Sequence, residues 1–147
     1  MSSEVEAASA VELASIPNTP AAFFVQAAAE SPDLAADIEE VQETAFGKER
    51  GITDGALAVA AVKGRLTFTV DSVSGVGKHS EGRDKSGTGA FKGSKIPTNI
   101  VGGGTFTLEI QRTKATLTLK SKTGSVTHVY HGTGLEKGLT GTWVGSW

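Results

Sequence analysis

The spacing of apolar residues changes period partway along the chain. In the first third it is helical: Phe23, Phe24 and Ala27 form one face, and Leu34, Ile38 and Val41 form another. Thr19 followed by Pro20 reads as an N-cap with proline in the first turn, and Ser31-Pro32-Asp33 repeats the signal with Ser31 as cap. Two short helices are predicted, over roughly 20–30 and 32–46, with Gly47 as the C-cap. From Arg65 the period is two. Leu66, Phe68 and Val70 alternate with threonines, as do Phe106 and Leu108 with Ile110, and Ala115 with Leu117 and Leu119. Thr123-Gly124 reads as a tight turn into a strand over 125–131. A last strand over 139–147 places Leu139, Gly141, Trp143, Gly145 and Trp147 on one face.

Connections this short cannot make parallel crossovers, so the strands are expected to form an antiparallel meander. The last strand would leave an exposed edge, and pairing it with the first strand closes a barrel. Ser72 to Gly104 is dense in Gly, Ser and Lys. A structureless loop of that length is uncommon in a compact domain, which predicts weak strands over 73–77 and 88–93 with a mobile tip over 79–86. The fold class is therefore mainly β: a small antiparallel β-barrel of about six to eight strands preceded by an acidic helical hairpin. Residues 1–18 are read as a flexible segment, 19–50 as the acidic helical arm and 56–147 as the glycine-rich basic barrel.

Charge divides the chain in the same way. Residues 1–62 carry eleven Asp and Glu against two Lys and Arg, and residues 63–147 carry five against twelve. The net −2 of the chain thus conceals an arm at −9 and a body at +7, and sixteen of the 19 glycines lie in the body. Cysteine is absent, which removes disulfides and thiolate metal sites from consideration. The longest apolar run, Gly55 to Val62, is too short for a membrane helix. The polar, acidic opening does not read as a signal peptide, so the expectation is a cytosolic chain or one exported without a visible signal.

The motifs with chemical potential are weak. Ser74-Gly75-Val76-Gly77-Lys78-His79 lacks the first glycine and the hydroxyl of a phosphate loop, and it leads into no helix. Gly87-Thr-Gly89 and Gly132-Thr-Gly134 miss a dinucleotide fingerprint and read as turn glycines. His128 and His131 are three apart on a strand and point to opposite faces, which suits no shared metal, and His79 is placed in the mobile loop. No acid/base pair stands out among Asp71, Glu81, Asp84, Glu109 and Glu136, so the reading is non-enzymatic, with no catalytic residue, cofactor or metal assigned. Candidate partner-binding residues are Lys78, Arg83, Lys85, Lys92, Lys95, Trp143 and Trp147. Few aromatics are available for base stacking and the total charge is negative, which argues against nucleic acid and for anionic lipid or a membrane surface.

The run Gly102-Gly103-Gly104-Thr105-Phe106-Thr107-Leu108, followed by Gly124, Gly132-Thr-Gly134 and the ending Gly141-Thr142-Trp143, resembles the tail of the virulence-associated protein (Vap) family of Rhodococcus. That resemblance implies a compact eight-stranded antiparallel barrel behind a disordered N-terminal part, and an effector-type role; the acidic helical arm departs from it. The leading expectation is an interaction barrel that engages a lipid-like or anionic partner, with the arm as a cover or a docked hairpin. The alternatives are a self-associating or pore-type membrane-active protein, and a small-barrel cyclase with a buried apolar pocket.

Overall fold

The computed structural model describes residues 13, 15–47, 54–122 and 127–147. Helix α1 spans Pro20–Glu30, a 3-10 turn spans Pro32–Leu34, and helix α2 spans Ala35–Phe46. Eight strands follow: β1 Ala56–Val62, β2 Arg65–Val70, β3 Val73–His79, β4 Gly87–Gly93, β5 Gly104–Ile110, β6 Lys114–Ser121, β7 Thr127–Lys137 and β8 Gly141–Ser146. They close into an antiparallel barrel in the order β1-β2-β3-β8-β5-β6-β7-β4, with β4 returning to β1. The mainly β class, the closed barrel and the preceding helices agree with the expectation from sequence. The predicted turn at Thr123-Gly124 and most of the 1–18 segment lie outside the described residues. Among the described residues no helix is long and apolar enough to cross a membrane.

The helical segment starts and stops where its local chemistry dictates. Thr19 Oγ1 accepts a hydrogen bond from the Ala22 N–H at 3.2 Å, with Pro20 in the first turn. Gly47 ends α2 at φ 60°, where a side chain would be strained. Ser31 does not cap through its side chain. Its backbone N–H closes α1 on the Ala27 carbonyl, and the chain then takes the 3-10 turn that Pro32 permits before α2 begins at Ala35.

The meander expectation is corrected to two Greek keys. Strands β1–β3 form one meander and β5–β7 the other. Strand β4 returns beside β1, and β8 returns beside β5. The last strand therefore pairs with β3 and β5, and the first strand is closed by β4. The predicted strands over 73–77 and 88–93 are present as β3, Val73–His79, and β4, Gly87–Gly93, which divide the stretch from Ser72 to Gly104 into shorter loops.

The barrel interior is filled by a cluster that includes Leu57, Phe68, Phe91, Phe106, Leu117, Tyr130 and Trp143. Glycine makes room for these rings. Phe68 and Phe106 meet edge to face at 4.8 Å, and a Cβ on Gly77 would come within 2.6 Å of the Phe106 ring. Gly132 lies against Phe91 and Tyr130 in the same manner, so Gly132-Thr-Gly134 and Gly87-Thr-Gly89 are strand glycines rather than turn glycines.

Strand β1 is buried on both faces from Ala56 to Ala61. Leu57, Val59 and Ala61 point into the barrel, whereas Ala56, Ala58 and Ala60 join Ala90 in a second core under the helices. Phe23, Phe24, Ile38, Val41 and Phe46 complete that core, with α1 over β1 and β2 and α2 over β4 and β7. Alanine on the outer face lets the helices approach closely, and each buried phenylalanine contributes roughly 2 kcal/mol through its area. The arm is thus docked by its apolar side. Between its acidic side and the barrel, Glu40 pairs with Lys137 at 3.1 Å.

Tight strand glycines and open turn glycines are expected to differ in the cost of an added methyl. A Cβ on Gly134 would overlap the Ala90 carbonyl oxygen, whereas one on Gly82 meets nothing within 4 Å. Gly134→Ala should lower unfolding stability by about 3 kcal/mol or abolish folding, and Gly82→Ala, at φ 74°, should cost only about 1 kcal/mol. Urea unfolding monitored by tryptophan fluorescence checks the order, and equal losses would contradict the close-approach argument.

Candidate functional site

One end of the barrel gathers cations through backbone geometry. The β1–β2 turn is the pair Lys63-Gly64, with φ of 51° and 85°, the left-handed conformation of a tight hairpin turn. The Lys63 N–H donates to Ser86 Oγ at 2.8 Å, and the Gly64 N–H donates to the Lys85 carbonyl at 2.8 Å. The turn is thereby fastened to the β3–β4 loop, which carries Arg83 and Lys85. On the neighbouring hairpin Arg65 stands directly across from Lys78. Like charges at such a position repel. Among the described residues Lys63, Arg65, Lys78, Arg83 and Lys85 share this mouth with the acidic Glu81 and Asp84 of the loop and with Glu136. Arg83 pairs with Glu81 at 3.1 Å, an exposed contact of small energetic weight.

The loop is anchored to the core. His79, placed in the mobile tip by sequence, is buried at the end of β3 and meets Trp143 edge to face at 5.2 Å. Its Nδ1 accepts the Glu81 N–H at 3.1 Å, and its carbonyl accepts the Gly82 N–H at 2.9 Å. An imidazole that accepts at Nδ1 carries its proton at Nε2. On the other side, the Lys85 ammonium donates to the Thr140 carbonyl. The turn that presents Thr140 is braced by the buried Glu136, whose carboxylate accepts the Leu139 N–H at 2.6 Å and the Thr140 hydroxyl at 2.8 Å.

Of the candidates read from the sequence, Lys78, Arg83 and Lys85 lie at this mouth, and Lys92, Lys95, Trp143 and Trp147 do not. Lys92 stands beside Ala56 at the start of β1, and six residue steps along that strand separate it from the Val62–Arg65 pair, about 20 Å. Lys95 belongs to the segment whose Ile96 N–H bonds to Asp71 Oδ2 at 2.7 Å, at the opposite mouth. Trp143 and Trp147 are core residues: both are buried, and each indole N–H donates to a backbone carbonyl, Leu139 and Thr105 respectively, at 3.0 Å. Their size and inward parity on β8 place them in the interior, where they offer no contact surface.

Lys63 and Arg65 were missed, although the sequence held the signal. A hairpin turning at Asp71-Ser72 pairs Val70 with Val73, and counting outward from there brings Arg65 opposite Lys78. His131 is exposed and His128 half-buried, and among the described residues no group of three His, Cys, Asp or Glu could hold a metal.

The opposite mouth is closed. Asp71, at φ 52°, receives the Gly55 N–H at 2.9 Å on one carboxylate oxygen and the Ile96 N–H on the other, and the Tyr130 hydroxyl donates to the Gly55 carbonyl at 2.6 Å. The Asp71 carboxylate thus holds the approaches to β1 and the chain after β4 over the barrel, while Ile96 and Ile100 are buried beneath them. The barrel has one sealed end and one cationic end. Comparison of the chain with family models, curated proteins and solved structures returns no match.

Burial, and secondarily the Asp71 carboxylate, push the Tyr130 phenol well above its ordinary value. A phenol whose folded pKa is raised contributes no pH dependence until the unfolded chain begins to ionise, near pH ~10, and above that point stability falls as pH rises. Tyr130 is the single tyrosine of the chain, so absorbance at the tyrosinate band reads it alone. The band should appear together with unfolding, and the alkaline loss of stability should be smaller in Tyr130→Phe; ionisation well before unfolding would contradict the burial argument.

Proposed function

We propose that this protein is a non-enzymatic interaction barrel whose cationic mouth engages anionic lipid head groups. The observation that carries the reading is the fastening of the Lys63-Gly64 turn to the Lys85-Ser86 backbone and side chain, which holds Lys63, Arg65, Lys78, Arg83 and Lys85 together. Cations held on hydrogen-bonded turns form a preorganised patch, and a patch near an anionic surface gains about 1 kcal/mol per Lys or Arg. Three further features support it. The arm docks through its apolar residues Phe23, Phe24, Ile38, Val41 and Phe46. The interior is occupied by aromatic and aliphatic side chains, which favours a surface site over an internal one. Val25, Val62, Val101 and Val129 are the exposed large hydrophobic residues among those described and lie on separate elements, so the charge pattern, not an apolar patch, is the recognisable surface. The resemblance of the C-terminal strands to the Vap family is consistent with an effector-type interaction role, and belongs to this proposal.

Co-sedimentation of the full chain with phosphatidylserine/phosphatidylcholine vesicles tests it. Binding is expected at low salt and should fade as ionic strength rises, with none to phosphatidylcholine alone. Replacing Lys78 and Arg83 by alanine should weaken it by about 2 kcal/mol, roughly 30-fold. Lys92→Ala with Lys95→Ala, at the far end, should change it little. Absence of binding at low salt, or equal loss from both pairs, would remove the reading.

A further inference from the structure

The helical segment does not lie flush on the barrel. Between it and the outer face of the β1–β2 hairpin runs a groove of about 310 Å³. Its floor is two register pairs, Ala60 with Thr67 and Val62 with Arg65. Phe23 and Ala27, one helical turn apart on α1, form an apolar wall, and Leu34 and Ile16 extend it. The groove is continuous with the cationic mouth, because Arg65 lines both and Lys63 is the next residue after the floor residue Val62. Val62 remains 44% exposed there, a large aliphatic side chain left open beside its exposed register partner Arg65.

We propose that this groove takes one alkyl chain whose anionic head group rests at Arg65 and Lys63, so that the ligand is a single-chain amphipathic anion, a long-chain carboxylate or an alkyl phosphate. The inference rests on the mouth as the anion-recognising element and adds the site for the tail. Three features select this occupant. The volume lies at the lower end of small-molecule sites, which suits one chain and excludes a two-chain lipid. Ala60 and Val62 on the floor and Phe23 and Ala27 on the wall give a tail apolar contacts, beside the polar Thr67 and Arg65 that share the floor. The charges orient it. Glu30, the acidic residue among the described lining, sits in the last turn of α1, where the helix dipole is also negative, so an anionic head is repelled there and drawn to the strand side.

Isothermal titration of the full chain tests this with dodecanoate, dodecyl phosphate and dodecyltrimethylammonium, each below its micellar concentration. One molecule of either anion per chain is expected, with the cationic amphiphile at least tenfold weaker. Thr67→Trp, which fills the floor from a half-buried position, and Val62→Glu, at an exposed position that leaves the core intact, should each weaken both anions at least tenfold while vesicle binding by Thr67→Trp persists. Arg65→Gln should weaken the anions and narrow the gap to the cationic amphiphile. Preference for one anion over the other identifies the head group as carboxylate or phosphate. Failure of both anions to bind, equal affinity for all three amphiphiles, or unchanged affinity in a folded Val62→Glu variant overturns the groove assignment. Anion binding that survives Thr67→Trp and Val62→Glu but is lost in Arg65→Gln leaves the mouth reading standing and removes the tail site. Groove-dependent anion binding without vesicle binding keeps the tail site and removes the membrane-surface reading.

Discussion

The width of an eight-stranded barrel sets the terms for the rest of this structure. Such a barrel has an interior just wide enough to be filled by side chains. Here that space must hold Phe68, Phe91, Phe106, Tyr130 and Trp143, all essentially buried. They fit because glycines on the inner faces of the strands remove the side chains that would compete. Gly75 and Gly77 face the Phe68 and Phe106 rings, Gly93 and Gly132 face Tyr130, and Gly141 lies 2.6 Å from His79 at the position its Cβ would occupy. Ring area against bare backbone supplies the burial that a chain with so few aromatic residues needs. The glycine richness of the body is thus a packing device, more than a sign of flexibility.

A filled interior transfers the available binding surface to the outside, and the outside is not uniform. Strands β1 and β4 present alanines, Ala56, Ala58, Ala60 and Ala90, and these small residues make a flat seat for α1 and α2. Glu39, Glu40 and Glu43 of α2 are exposed beside that seat, and Glu40 reaches back to pair with Lys137 of β7. Five of the body's twelve cations, Lys63, Arg65, Lys78, Arg83 and Lys85, stand at the mouth formed by the β1–β2 turn and the β3–β4 loop. The charge division of the sequence is thus only partly a separation in space, since Glu30 of α1 lines the groove with Arg65.

Much of this was legible in the residues. Alternation gave Leu66-Phe68-Val70 and Phe106-Leu108-Ile110 their strands, and Thr19-Pro20 gave α1 its start. The need to avoid a long bare loop recovered β3 and β4. What misled was glycine and closure. Gly-Thr-Gly looks locally like a turn, and only the rings of Phe91 and Tyr130, which reach it from other positions in the barrel, make it a strand. Which strand seals the barrel is likewise a long-range property. A terminal strand must be paired, but local spacing does not distinguish β1 from the β3–β5 gap as its place. Lys78, Arg83, Lys85, Lys92 and Lys95 read as one surface because they are near in sequence, whereas β4 runs away from the mouth and carries Lys92, and Lys95 just beyond it, to the far end. Hairpin register would have given the correct partner, since Lys63 and Arg65 follow from counting outward from two turns.

The mouth differs from an ordinary lysine-rich loop in how it is held. A flexible basic loop must lose chain entropy each time it meets a partner, and that cost offsets much of the electrostatic gain. Here the entropy is lost on folding. His79 fixes one end of the loop to Trp143, the Lys63-Gly64 turn fixes the other through Ser86 and Lys85, and Glu136 holds the Thr140 turn that receives the Lys85 ammonium. Each anchor reaches from the loop to a residue whose own position is set by the packed interior or its rim. Trp143 is in place because β8 slots between β3 and β5, and Glu136 because β7 is long enough to reach the same end as β4. The aromatic–glycine packing that closes the barrel therefore also determines where the cations stand, and a loss of packing at β8 would loosen the mouth before it touched a single charge.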